Sequence, residues 1–78
     1  MKILVVEDEK ELMQAISASL EKEHFIIETA GDFATASDKI AIYDYDCILL
    51  DIMLPGGSGL QLLEELKKLG KSENVIII

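Results

Sequence analysis

Three carboxylate side chains directly follow short apolar runs of the kind that form buried strands. Glu7 and Asp8 follow residues 3–6, and Asp51 follows residues 47–50. Because the carboxyl ends of neighbouring parallel strands meet at one edge of a sheet, these acids converge if the first and third strands are neighbours. Clustered carboxylates repel one another, and a hard divalent cation removes that penalty. The sequence therefore predicts a Mg²⁺ site made of these acids and a backbone carbonyl from the loop after Asp51.

Each acid also has a purely structural interpretation. Acidic residues after a strand are common in solvated turns and at helix N-termini, where they interact favourably with the helix dipole, and we adopt this interpretation for Glu9 and Glu11. Asp51 alone is consistent with a capping or turn residue, because residues 55–57 read Pro-Gly-Gly. Convergence of acids from two separate strands is what favours the metal site.

Two other side chains receive structural interpretations. His24, the only histidine, is interpreted as a strand-edge residue. The side chain of Met53 is interpreted as core or near-core, so that only its backbone carbonyl is of chemical interest.

Alternating strands and helices would position these residues. Strands are predicted at residues 3–6, 24–29, 47–50 and 75–78. Helices are predicted at 10–23, at 32–42 with Asp32 as N-cap, and after a capping box of Ser58 and Gln61, with Gly70 as the stop. The order βαβαβαβ predicts an α/β fold with a doubly wound parallel sheet and helices on both faces.

The composition narrows the class of protein. The 78 residues carry a net charge of −8 and include no arginine, which argues against a nucleic-acid-binding surface. The single cysteine, Cys47, excludes an internal disulfide and fits a reducing compartment. All apolar runs are far too short to span a membrane. We expect one small cytoplasmic domain without membrane contact.

Sequence motifs for several other chemistries are absent. The chain has no G-x-x-x-x-G-K-[ST] phosphate-binding loop, and its glycines at 56, 57 and 59 do not match a dinucleotide-binding pattern. It has no G-x-S-x-G nucleophile elbow. One cysteine and one histidine cannot form a zinc site.

Two segments together resemble a known family. "KILVVEDE" at residues 2–9 and "YDCILLDIMLPGGSG" at residues 45–59 are similar to the receiver domain of bacterial two-component response regulators. The resemblance runs through all 78 residues. The Glu-Asp acidic pair and the Met-Leu-Pro-Gly continuation look most like regulators with a winged-helix DNA-binding output domain.

The resemblance implies a role for each acid within a flavodoxin-like receiver fold. Asp51 is similar to the aspartate that accepts a phosphoryl group from a sensor histidine kinase, and a carboxylate nucleophile of this kind forms an acyl phosphate. Asp8 is similar to the direct Mg²⁺ ligand, Glu7 to the residue that holds the ion through water, and the Met53 carbonyl to the backbone ligand. Such a domain is a phosphoacceptor and not an enzyme, beyond promoting its own phosphorylation and dephosphorylation.

The chain also departs from the family pattern. Family receivers have a fifth strand, two further helices, a Thr or Ser after strand four and a Lys after strand five, whereas this sequence stops at Ile78. We therefore expect residues 1–78 to be a partial receiver domain, truncated after the fourth strand, in which stable phosphorylation is impaired. We also expect self-association through the exposed edge near Val75 and Ile78.

Two rival functions are considered. In one, the chain is a non-phosphorylated interaction module or folding fragment, and its acids only tune stability. In the other, it is a phosphohydrolase of the haloacid-dehalogenase type, which also places a nucleophilic Asp after a strand. Those hydrolases need a second acid two residues after the nucleophile, and Met53 occupies that position, which disfavours this rival.

Overall fold

A parallel sheet with helices on both faces forms the body of the molecule. The computed structural model describes residues 1–78. The elements are β1 (Lys2–Val6), α1 (Lys10–Glu21), β2 (Ile26–Ala30), α2 (Phe33–Ile42), β3 (Cys47–Leu50), β4 (Met53–Leu54), β5 (Gly57–Ser58), α3 (Gly59–Lys68) and β6 (Val75–Ile77). The predicted doubly wound α/β fold is confirmed. No helix is both long enough and apolar enough to cross a bilayer.

The order of the strands reverses beside β1, and this position is the topological switch point of the sheet. The four-stranded sheet has the order β2-β1-β3-β6, and all its pairings are parallel. From β1 the chain first adds β2 on one side and then crosses to add β3 on the other. Val6 is consequently level with Ala30 on one side and with Leu50 on the other. Functional residues of open α/β sheets lie outside the carboxyl ends of strands at such a point.

One large core lies between the sheet and the two helices α2 and α3. It contains Leu4, Val6, Ala30, Ala36, Ile40, Ile48, Leu50, Leu54, Leu62 and Leu66. The alternate residues Ile3 and Val5 are also buried and point to the other face of the sheet, where α1 contacts β1 and β2. No residue of α1 is fully buried, so this face is covered less completely.

The first helix ends earlier than predicted, and the next strand begins later. His24 adopts a left-handed conformation with φ of 63°, and its N–H donates to the Glu21 carbonyl at 2.9 Å. This geometry turns the chain out of the helix, so β2 begins at Ile26. The interpretation of His24 as a strand-edge residue is therefore wrong, because it lies in the turn that ends α1.

The other helix signals are confirmed. The Asp32 carboxylate accepts a hydrogen bond from the Thr35 N–H at 2.7 Å, as an N-cap residue should. Ser58 and Gln61 form the predicted capping box at the start of α3. Gly70 ends that helix with a φ of +70°. Within the predicted turn after Asp51, the structure adds a short antiparallel hairpin, β4–β5, which the sequence analysis did not predict.

A polar network ties the amino-terminal ends of the strands together. Lys2 Nζ lies 3.1 Å from Glu28 Oε2, and the Tyr45 hydroxyl donates to Glu28 Oε1 at 2.6 Å. The Lys2 ammonium also lies 4.8 Å from the centroid of the Tyr43 ring and 5.2 Å from that of Tyr45. The hydrogen bond from Tyr45 and the charge of Lys2 lower the pKa of Glu28.

Replacing Glu28 by Gln should lower the free energy of unfolding in a pH-dependent way. Because the pKa of Glu28 is lower in the folded chain, its contribution is present above the unfolded-state value and is lost as pH falls through the folded-state value. The group is partly exposed, so we expect a loss below about 1 kcal/mol at neutral pH. Urea unfolding should show that the stability difference between parent and variant shrinks as the pH falls through the folded-state pKa of Glu28.

The matched control is Glu64→Gln, which removes the exposed pair between Glu64 and Lys67. This variant should have the same free energy of unfolding as the parent at neutral and at acidic pH. A stability difference for Glu28→Gln that stays constant from neutral to acidic pH would contradict the ionic origin of the effect.

Candidate metal centre

The structure brings three carboxylates together at the switch point. Oxygen atoms of Glu7, Asp8 and Asp51 all lie within 4.8 Å of one another. The cause is the pairing of β1 with β3, which the sequence analysis had stated as a condition. The convergence of the acids is thus observed, while their role as metal ligands stays a prediction.

Backbone hydrogen bonds beyond the strand ends fix two of these acids. The N–H of Asp51 donates to the Val6 carbonyl at 3.0 Å, and the N–H of Glu7 donates to the Ala30 carbonyl at 3.1 Å. Each bond continues a parallel ladder by one residue. The backbone of Asp51 is therefore held by β1, and the backbone of Glu7 is held by β2.

Glu7 is a buried acid without a cation partner in the chain. Its exposed fraction is 5%, and the ion pairs of the structure are Lys2–Glu28, Lys67–Glu64 and Lys71–Asp44. Burial raises the pKa of Glu7, the N–H of Glu9 (3.2 Å from Oε1) partly offsets this, and the nearby charges of Asp51 and Asp8 raise it further. A divalent cation would supply the positive charge that this cluster lacks.

The exposure of the acids is graded from the sheet toward solvent. Glu7 is buried, Asp51 is partly exposed and Asp8 is exposed. A site of this form has carboxylate oxygens on its inner side and water on its outer side. Mg²⁺ is commonly held in this way, by one or two carboxylates and several retained waters. The chemistry and exposure of the donor set therefore fit this ion.

The hairpin after Asp51 leaves the Met53 carbonyl free. The Gly59 N–H donates to the Ile52 carbonyl at 2.7 Å, so Met53 and Ser58 form the next, non-hydrogen-bonded pair of the antiparallel ladder. The Ser58 N–H is instead bonded to Gln61 Oε1 at 2.8 Å. Because neither Ser58 nor the hairpin uses the Met53 carbonyl, it remains available as a ligand.

The side chain of Met53 is not a core residue. It is 80% exposed, so the sequence-based interpretation of this side chain is wrong. The physical reason is the hairpin: alternate residues point to opposite sides, and Leu54 is the one that enters the core. The Met53 N–H lies 3.3 Å from Asp51 Oδ1 and donates a hydrogen bond to it.

Sequence analysis missed the residues that pack around this hairpin. The Phe33 N–H, at the start of α2, donates to the Pro55 carbonyl at 3.0 Å, and the Phe33 ring lies directly against Gly57. Gly59 lies equally close to the backbone of Asp51. The available signal was three glycines in four residues, which the sequence analysis interpreted only as a turn.

A partly open cavity of the fold lies away from the acids. It has a volume of about 210 Å³ and lies at the amino-terminal ends of β3 and β6, at the opposite edge of the sheet from the acids. Lys71 Nζ lines it and donates to the Ile40 carbonyl at 2.9 Å. The acid cluster is thus separate from this cavity.

The chain matches a family model and many known proteins. Residues 3–78 match the model described as the response regulator receiver domain. The transcriptional regulatory protein DltR of Streptococcus agalactiae is 38% identical over the whole chain, and the two-component response regulator PhoP of Pseudomonas aeruginosa is 36% identical. The chain spans 35% of the length of each of these two relatives.

Solved structures of response regulators also superpose closely on this chain. A Francisella response regulator receiver domain superposes with a TM-score of 0.91 at 34% identity, over 97% of this chain and 63% of the other. The response regulator TrrA of Thermotoga maritima, in complex with Mg²⁺ and BeF, superposes with a TM-score of 0.83 at 36% identity, over 97% and 64%. The family match, the superposed sheets and the acids at the switch point agree: this chain belongs to the response regulator receiver domain family.

Proposed function

We propose that this chain is a phosphoacceptor domain in which Asp51 receives a phosphoryl group from a sensor histidine kinase. The observation that carries the proposal is the cluster of Glu7, Asp8 and Asp51, with oxygen atoms within 4.8 Å of one another at the switch point of the sheet. A nucleophilic carboxylate beside two further acids is suited to a reaction in which a metal ion balances phosphate charge.

The chemical step is a displacement at phosphorus. One oxygen of the Asp51 carboxylate attacks the phosphorus and forms a new O–P bond, while the P–N bond to the kinase histidine breaks and its electron pair stays on nitrogen. The product is an acyl phosphate on Asp51. Because the Val6 carbonyl fixes the Asp51 backbone, the nucleophile is positioned before the donor arrives.

The proposed ligands of Mg²⁺ come from the ends of β1 and β3 and from the hairpin. They are the carboxylates of Asp8 and Asp51, the carboxylate of Glu7 through a water molecule, and the carbonyl of Met53. The bound ion would supply positive charge against the oxygens of the transferring phosphoryl group. The Mg²⁺–BeF complex of TrrA, which is 36% identical to this chain, supports the proposal.

The remaining properties of the protein are proposed from its family and charge. The names of DltR and PhoP support a role in transcriptional regulation, exerted through an output domain and not by this acidic domain itself. Phosphorylation and dephosphorylation of Asp51 would be the only reactions that the domain promotes. We propose that it acts in the cytoplasm.

Replacing Asp8 by Asn should weaken Mg²⁺ binding by at least about tenfold, because a charged oxygen ligand becomes a neutral amide. Isothermal titration of the parent and the variant measures this directly. The matched control is Asp44→Asn, which removes an exposed carboxylate paired with Lys71. Equal affinities of Asp8→Asn and parent would contradict the assignment of Asp8 as a ligand.

Treatment with acetyl phosphate and Mg²⁺ should label Asp51 and no other residue. We expect a low yield in this chain, because no lysine forms an ion pair with Asp51 that would hold the phosphoryl oxygens. Intact-mass spectrometry should show a gain of one phosphoryl group that is lost in Asp51→Asn and retained in Asp38→Asn, an exposed control. Complete absence of labelling would favour the interaction module, and efficient labelling would contradict the expected low yield.

We also propose that the chain associates with a second copy through the outer edge of β6. This strand pairs only with β3, and Ile76, Ile77 and Ile78 are 53%, 41% and 45% exposed. An apolar edge strand with unpaired backbone groups is a template for pairing with another strand. Two identical edges can pair about a two-fold axis, so that the unpaired backbone N–H and C=O groups of each strand form hydrogen bonds with those of the other.

Sedimentation equilibrium should therefore show dimers at high micromolar concentration. In Ile76→Lys the introduced charge should make the chain monomeric, since charged side chains protect edge strands from pairing. Ile42→Lys, which places the same charge on an exposed residue of α2, is the control and should remain dimeric. A monomeric parent at these concentrations would contradict the proposal.

A further inference from the structure

We propose that Gly59 is a positioning residue for the acid cluster: its lack of a side chain sets where Asp51 and Met53 lie relative to Glu7 and Asp8. The inference rests on the proposed function and adds to it a residue that carries no chemistry of its own. Gly59 is the first residue of α3 and is buried, eight positions after the proposed nucleophile.

The contact at Gly59 is between two backbone segments. A Cβ atom at this position would overlap the carbonyl oxygen of Asp51, and it would lie 2.9 Å from the Asp51 carbonyl carbon and 3.0 Å from Ile52 Cα. Backbone atoms cannot rotate away as the end of a side chain can. Gly59 does not adopt a positive φ, unlike Gly56 and Gly70, so the need for glycine here is steric and not conformational.

The helix side of this contact is held more firmly than the segment that follows Asp51. Leu62 and Leu66 anchor α3 in the core with 1% exposure each, and the capping box fixes its first turn. Ile52, on the other side, is 40% exposed. A side chain at position 59 would therefore displace the backbone that follows Asp51, and with it the Met53 carbonyl.

The hairpin cannot relieve the overlap by moving toward α2. A Cβ at Gly57 would already lie 2.5 Å from the Phe33 ring, and the Phe33 N–H is bonded to the Pro55 carbonyl. The hairpin is thus confined at Gly57 by the Phe33 ring, and the residue that follows it, Gly59, lies against the Asp51 backbone. Any displacement must alter the hydrogen bond from the Met53 N–H to Asp51 Oδ1.

The test compares Gly59→Ala with Gly70→Ala in the 78-residue chain. Gly70 has a φ of +70° and open space where a Cβ would lie, so its substitution should destabilise the fold without contact to the acids. Amide NMR spectra without metal should show shifted Met53 and Asp51 resonances only in Gly59→Ala. Titration with Mg²⁺ should show about tenfold weaker binding in Gly59→Ala and unchanged binding in Gly70→Ala, as expected when support for a ligand is lost.

If Gly59→Ala is unfolded in buffer, the titration is repeated in trimethylamine N-oxide, which favours compact chains by exclusion from their surface. Unchanged Met53 resonances and unchanged affinity in folded Gly59→Ala would overturn the inference. So would a chain that stays unfolded in the osmolyte while Gly70→Ala folds, since Gly59 would then support the whole fold. Failure of the parent to bind Mg²⁺ would instead overturn the proposed function.

Discussion

The pairing of β1 with β3 places two acidic strand ends side by side, and the rest of the site depends on this arrangement. The hydrogen bond from the Asp51 N–H to the Val6 carbonyl continues that pairing past the last residues of both strands. It brings a partly exposed carboxylate next to Glu7, which is buried and has no cation partner in the chain. Apolar residues on both faces of the sheet thus hold acids together that would otherwise separate.

A surplus of negative charge at a buried edge is costly for folding and useful for binding a cation. Burial and the neighbouring carboxylates raise the pKa of Glu7, which shows that its ionised form is disfavoured in the folded chain. In the proposed function a bound metal ion would offset this penalty and would supply positive charge to a phosphoryl group beside the Asp51 carboxylate. The same acids that weaken the metal-free domain would in this way prepare it for phosphoryl transfer.

Much of the arrangement could be predicted from the sequence because it depends on local patterns. Short apolar runs predicted the strands of the sheet, Asp32 and Ser58 predicted two helix starts, and acids after two strands predicted the cluster. The hairpin at residues 53–58 could not be predicted in this way, because Gly57 within it and Gly59 directly after it owe their role to Phe33 and to the Asp51 backbone, which only tertiary packing brings near. The turn at His24 was missed because a left-handed conformation at a non-glycine residue leaves little trace in the sequence.

The most direct test of the central claim is to locate the cation with Mn²⁺, which favours the same oxygen ligands as Mg²⁺ and broadens NMR signals close to it. The account predicts that low Mn²⁺ concentrations broaden the amide signals of Asp8, Asp51 and Met53 first, and that excess Mg²⁺ restores them. Broadening that begins instead at Asp44 and Glu73, at the opposite edge of the sheet, would contradict it.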